Sequence, residues 1–175
     1  MRVLGIDPGL TRCGVAVVDD GTGHRATLVH VGVVRTSVEE EPGVRLAQVY
    51  AAVQALVAEH RPDVVAVERV FAQHNVRSVM GTAQAAGVVM LVAAQADIRL
   101  AMHTPSEVKA AVTGSGRADK DQVGTMVARI LGLAAAPRPA DASDAIALAL
   151  CQLWRGRAAA RLAAAAVGAP RPRLP

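Results

Sequence analysis

MRVLGIDPGLTRCGVAVVDD, residues 1–20, carries two apolar runs separated by a sharp break. Val3-Leu4-Gly5-Ile6 leads to Asp7, Pro8-Gly9 turns the chain, and Gly14 to Val18 takes it back. This is the pattern of a β-hairpin whose first, buried strand ends on a carboxylate. Asp also caps Asp-Pro-Gly turns well, so this stretch alone fits a turn residue and a site residue equally. The rest of the chain decides between them.

Working outward, residues 2–7 and 14–19 form the first two strands and 26–35 a third. The links DPGLTRC and DGTGHR are rich in turn formers, which predicts an antiparallel meander. Glu39-Glu40-Glu41-Pro42-Gly43 then puts acids at a helix start. Leu46, Val49, Tyr50, Val53, Leu56 and Val57 recur at three and four, which predicts an amphipathic helix over 44–60. Val64 to Val67 is continuously apolar and ends in Glu68. Such a run suits a strand buried on both faces, reached by a helical crossover and so parallel to its neighbour. Residues 74–96 follow as a helix that is apolar nearly all round, with Gly81, Ala85 and Gly87 allowing close approach of another helix. A helix of that kind needs cover on every side, and a subunit interface would supply the second cover.

Residues 98–102 form a last strand. Thr104-Pro105-Ser106-Glu107 matches a helix start with Thr as N-cap, Pro at the first position and Glu completing a capping box. That helix ends near Val112, the loop 113–116 follows, and Asp119 opens a helix through Leu131. After a linker over 134–139, the final core helix spans 141–154. The expectation is an α/β fold with a five-stranded mixed sheet, three antiparallel strands then parallel ones, flanked by helices. One domain covers 1–155, and the Arg/Ala/Pro-rich tail 156–175 reads as a frayed helix and a disordered end.

With 52% hydrophobic letters over 175 residues, the chain suits one domain with a substantial core. Its apolar stretches are broken well short of a membrane span, and no signal-peptide pattern opens it. Cys13 and Cys151 lack metal-ligand spacing and read as reduced core thiols, which points to a cytoplasmic protein. The net charge of +4 invites a nucleic-acid reading, but Arg155, Arg157, Arg161, Arg171 and Arg173 all lie in the tail. Without them, 14 basic residues stand against 15 acidic ones. The basic balance is therefore weak evidence for a binding face.

Four acids stand out. Glu68 ends a fully apolar strand, where a charge is costly unless paired or bound to metal. Arg69 follows directly and points to the opposite face of a strand, so it does not pair with Glu68. Asp141 and Asp144 lie three apart at the start of an otherwise apolar helix. Asp141 as N-cap with Asp144 three positions on is simply a well-capped helix. However, a helix this apolar must lay its inner face on the sheet, which would bring both acids towards Asp7 and Glu68. Converging carboxylates repel unless neutralised, and oxygen ligands without His or Cys suit Mg²⁺ or Mn²⁺. Two such ions about 4 Å apart are the usual arrangement for in-line phosphodiester cleavage.

LGIDPGLTRCGVAV, VAVERVFAQHN, TPSEVKAAVTGSGRADKDQV and PADASDAIALAL together resemble the RuvC family of Holliday junction resolvases, in that family's order and spacing. The resemblance covers essentially residues 1–154. It implies an RNase H-like fold and a homodimer that cuts four-way DNA junctions by paired symmetric nicks in homologous recombination and repair. It further implies two Mg²⁺ ions per active site, with Mn²⁺ able to substitute. Asp7, Glu68, Asp141 and Asp144 match the family's catalytic and metal-binding acids; some members carry His at the position of Asp141. Phe71, the only phenylalanine, matches an aromatic that stacks on a base of the opened junction, although a lone Phe is more often a core residue. Lys109 and Lys120, the only lysines, match positions that contact DNA near the scissile phosphate. Arg77 is a candidate for backbone contact and fits an ordinary surface position equally. A branch-migration motor complex of the RuvA and RuvB type is the implied partner.

Other classes fit less well. An actin-like or sugar-kinase domain also opens with a strand and an Asp-x-Gly loop, but such folds need two domains. A non-catalytic junction-binding protein has no need of four acids. Phe71 and the paired lysines disfavour another RNase H-like nuclease, such as one acting on RNA–DNA hybrids or a transposase.

Overall fold

Strand alternation assigns every residue of the opening stretch to one of two faces. The computed structural model describes residues 1–21, 25–69 and 76–168, the side chains of 76–78 and 160–168 excepted. Its elements are β1 (Arg2–Asp7), β2 (Arg12–Asp20), β3 (Ala26–Arg35), α1 (Pro42–His60), β4 (Val64–Glu68), α2 (Val76–Gln95), β5 (Arg99–His103), α3 (Pro105–Thr113), α4 (Lys120–Leu131) and α5 (Ala140–Gly168). The strands form one sheet in the order β3-β2-β1-β4-β5. β1, β2 and β3 pair antiparallel, and β1, β4 and β5 pair parallel, as the sequence predicts.

Leu4, Ile6, Val15, Val17, Val65 and Val67 face α1 and α2 and pack on Val49, Val53 and Val89. Val3, Ala16, Val18, Val64 and Ala66 face the other way, against Ile146, Leu148 and Leu150 of α5, with α3 and α4 outside them. The sheet is thus covered on both sides. Cys13 and Cys151 are free and buried, one in each layer of the core.

Gly5 of β1 and Gly14 of β2 lie on the α5 side, and there the helix meets bare backbone. A Cβ on Gly5 would stand 2.2 Å from the Ala145 carbonyl oxygen, and one on Gly14 would stand 2.0 Å from that of Asp141. Neither distance is tolerable, so α5 rests on the sheet only because both residues are glycine. The opening turn is tied down separately. Thr36 Oγ1 donates to the Leu10 carbonyl at 2.6 Å, while Arg45 donates to Thr36 Oγ1 at 2.9 Å and to Thr11 Oγ1 at 2.7 Å.

The start of α3 is as expected, with Thr104 and Glu107 forming a full capping box. Several expectations need correction. Asp141 is not the N-cap of the last helix: α5 already begins at Ala140, after Pro139, so Asp141 lies inside the first turn and Asp144 beyond it. The helix does not end at Trp154 but continues to Gly168, so the helical part of the tail extends over 156–168. Alanine and arginine are strong helix formers, and they carry the helix past Leu153, the last fully buried position among the described side chains. Residues 169–175 lie outside the described residues. Glu39–Glu41 precede α1 without entering its first turn, and Glu41 makes no side-chain cap.

Gly5→Ala should lower stability by about 1–3 kcal/mol, the usual cost of overpacking, although alanine is otherwise the better strand residue. Urea unfolding measures this, and unchanged or raised stability would contradict the close contact.

Candidate active site

Asp7 pairs with Gly14 across β1 and β2. On its other side Ile6 pairs with Val67, so Asp7 and Glu68 leave adjacent parallel strands at the same level. Parity places both carboxylates on the face that carries α5, because Gly5 and Ala66, two positions earlier, face that helix. Asp141 and Asp144 come from above: the Gly14 contact seats the first turn of α5 directly over the end of β1. Three elements distant in sequence thus deliver four acids to one edge.

A cavity of about 260 Å³ opens there, lined by Asp7, Glu68, Lys109, Lys120 and Asp144, with Pro105, Val108, Val123 and Ala147 as apolar walls. Burial pushes the Asp7 carboxyl up to about 7, and the nearby charges of Glu68, Asp144 and Asp141 add to the effect. Glu68 is also raised, by burial first and then by Asp144, while Lys120 and Lys109 pull it back. Lys120 Nζ lies 3.1 Å from Asp144 Oδ2, and this hydrogen bond raises the lysine. Asp141 does not line the cavity; it stands beside it, 3.2 Å from Arg12 Nε.

The sequence expectation of converging acids therefore meets a specific arrangement. Asp7, Glu68 and Asp144 share one cavity with both lysines, and Asp141 acts on Asp7 from its rim. Phe71 lies outside the described residues, as does the side chain of Arg77. Gly5, Gly14 and Arg12 escaped the sequence reading. A glycine inside a strand signals close approach of another backbone, so the two glycines could have been found. Nothing distinguishes Arg12 from other turn arginines.

The donor set is oxygen only, and burial together with neighbouring negative charge raises Asp7 and Glu68; that is the chemistry of a hard divalent-cation site. Among the described residues, no three His, Cys, Asp or Glu side chains are gathered closely enough to hold one ion as they stand. The α5 acids are turned to their own cations, Asp141 to Arg12 and Asp144 to Lys120.

The profile of the family described as "Crossover junction endodeoxyribonuclease RuvC" matches residues 3–152. Crossover junction endodeoxyribonuclease RuvC of Saccharopolyspora erythraea is 63% identical over 165 residues, covering 94% of this chain and 83% of the relative. The Thermus thermophilus RuvC structure superposes with a TM-score of 0.85 at 38% identity, over 91% of this chain and 97% of that one. Thermus thermophilus RuvC in complex with a Holliday junction substrate gives 0.87 at 37% identity, over 91% and 96%.

The raised Asp7 carboxyl has a consequence for stability. Its folded value is about 7 against an ordinary 3.8, so the native protein holds an extra proton between those values. Stability therefore falls as pH rises through about 4 to 7. In chelator, Asp7→Asn should melt at a higher temperature than the parent at pH 8 and lose that advantage at pH 4. A variant less stable than the parent at pH 8 would contradict the assignment.

Proposed function

Because the chain belongs to the RuvC family of crossover junction endodeoxyribonucleases, with its RNase H-like fold, we propose that it resolves four-way DNA junctions by paired symmetric nicks. The observation that carries this reading is the meeting of Asp7, Glu68 and Asp144 in one cavity with Lys109 and Lys120. We read residues 1–155 as the nuclease domain and 156–175 as its appended tail. No helix among the described residues is long and apolar enough to cross a membrane, and our reading places the enzyme in the cytoplasm with its DNA.

Asp7, Glu68, Asp141 and Asp144 are the residues that would hold two Mg²⁺ ions, or Mn²⁺ in their place. Bound there, such ions supply an activated water and stabilise the leaving 3′-oxygen. The protein's own part is positioning. Asp7 and Glu68 are fixed by the pairing of β1 with β4, and the α5 acids are fixed by the helix on its glycine seat. Lys109 and Lys120 bring positive charge to the same cavity, where a scissile phosphate would lie. Val108, Val123 and Ala147 wall it and keep bulk water to one side. Phe71 follows Glu68 by three residues, a position from which it would stack on an unpaired base, worth about 1–3 kcal/mol. Arg77 is the weaker candidate, for backbone phosphate.

Paired nicks need two active sites, and α2 supports a homodimer. Its Ala85, Val89 and Val92 are buried in the domain, while Met80 and Leu91 are 57% and 51% exposed. Gly87 has open space where a side chain would be, which lets a second helix approach closely. A branch-migration motor of the RuvA and RuvB type completes the set of partners that this reading brings.

Synthetic four-way junctions with Mg²⁺ should be cut, with linear duplex and RNA–DNA hybrid left intact. Glu68→Gln should abolish cutting and retain junction binding in a gel-shift assay; undiminished cutting would sink the site. Phe71→Ala should stay dimeric by light scattering and cut poorly, whereas an unfolded or monomeric product would restore the core reading of this residue.

A further inference from the structure

We infer that Arg12 is a resident counter-cation of Asp141 and competes with a divalent ion for that carboxylate, a reading that rests on the metal site proposed above. The pairing is built into the sheet register. Arg12 opens β2, and Gly14 lies two positions on, so both face α5. Gly14 sits directly under the Asp141 backbone, where an added Cβ would stand 2.0 Å from its carbonyl oxygen. The contact that seats the first turn of α5 thereby sets Asp141 beside Arg12, and their side chains meet at 3.2 Å.

The two partners are held differently. The Asp141 side chain is 19% exposed, whereas that of Arg12 is 54% exposed. The carboxylate is fixed by its helix, and the guanidinium is free to swing into solvent. An ion entering beside Asp7 would meet Asp141 with one oxygen already engaged and a positive charge at close range. Both effects weaken its binding, the first by occupancy and the second by repulsion. Lys120 stands towards Asp144 in the same way, but it lines the cavity and has been placed in DNA contact. Arg12 lies outside the cavity lining, so its role can be separated from substrate binding. It is a positioning residue for Asp141, with the metal affinity as its readout.

Exposed ion pairs are individually weak, so the effect is modest in size and definite in sign. Mn²⁺ binding to the full chain without DNA, measured by calorimetry, is the test. Arg12→Gln should bind Mn²⁺ roughly two- to five-fold more tightly than the parent, and Arg12→Lys should stay near the parent. In an Asp141→Asn background, Arg12→Gln should bring a clearly smaller gain, since the occupied oxygen is gone and only the repulsion remains. Unchanged or weaker binding by Arg12→Gln, or an equal gain in the Asp141→Asn background, overturns the role of Arg12. A parent that binds no Mn²⁺, or an Asp7→Asn variant that binds as tightly as the parent, overturns the metal site itself.

Discussion

Helix α5 lies with its backbone against the backbone of β1 and β2, and the site exists because of that contact. Helices normally stand off a sheet by the length of the intervening side chains. Here Gly5 and Gly14 remove them, and the carbonyls of Ala145 and Asp141 come to where Cβ atoms would be. Between Ala142 and Leu153 every residue of the same helix except Asp144 is buried, which holds it against tilting away. Its first turn is consequently a fixed platform over the ends of β1 and β4. Asp7 and Glu68 come from pairing within the sheet, and Asp141 and Asp144 come from packing onto it. Backbone geometry fixes both pairs before any ligand is considered.

This convergence opposes folding locally. Burial and mutual repulsion raise Asp7 and Glu68, with Asp7 reaching about 7. The surrounding cations reduce the strain without removing it: Lys120 meets Asp144, Arg12 meets Asp141, and Lys109 acts on Glu68. Carboxylates gathered in a partly dry cavity and only partly neutralised have the chemistry that suits small hard cations. The destabilisation and the function have one cause, which is common where activity and stability compete.

Much of this was legible in the sequence. The strand directions follow from apolar runs, turn formers and a helical crossover, and Asp7 and Glu68 stand out as charges ending apolar strands. The α3 start at Thr104 was readable because a capping box is a local pattern. Other features depend on tertiary contacts. For Asp141, a capping acid and a site acid look alike in one dimension; the helix start at Ala140 removes the N-cap position. The tail beyond Trp154 reads in the sequence as a frayed helix with a disordered end, and its alanine-rich composition sustains the helix to Gly168. Two of its arginines are used within the domain: Arg155 meets Glu107 at 3.1 Å, and Arg157 meets Asp20. The positive end of the chain is therefore partly neutralised at home.

The central claim is that α5, seated on two glycines, completes a cation site with the ends of β1 and β4. Crystals of the protein grown with Mn²⁺ and a four-way junction, measured at the manganese absorption edge, test it most directly. The account predicts anomalous density between Asp7, Glu68 and the two acids of α5, with Arg12 turned away from Asp141. Density at another place, or none at this edge of the sheet, would contradict it.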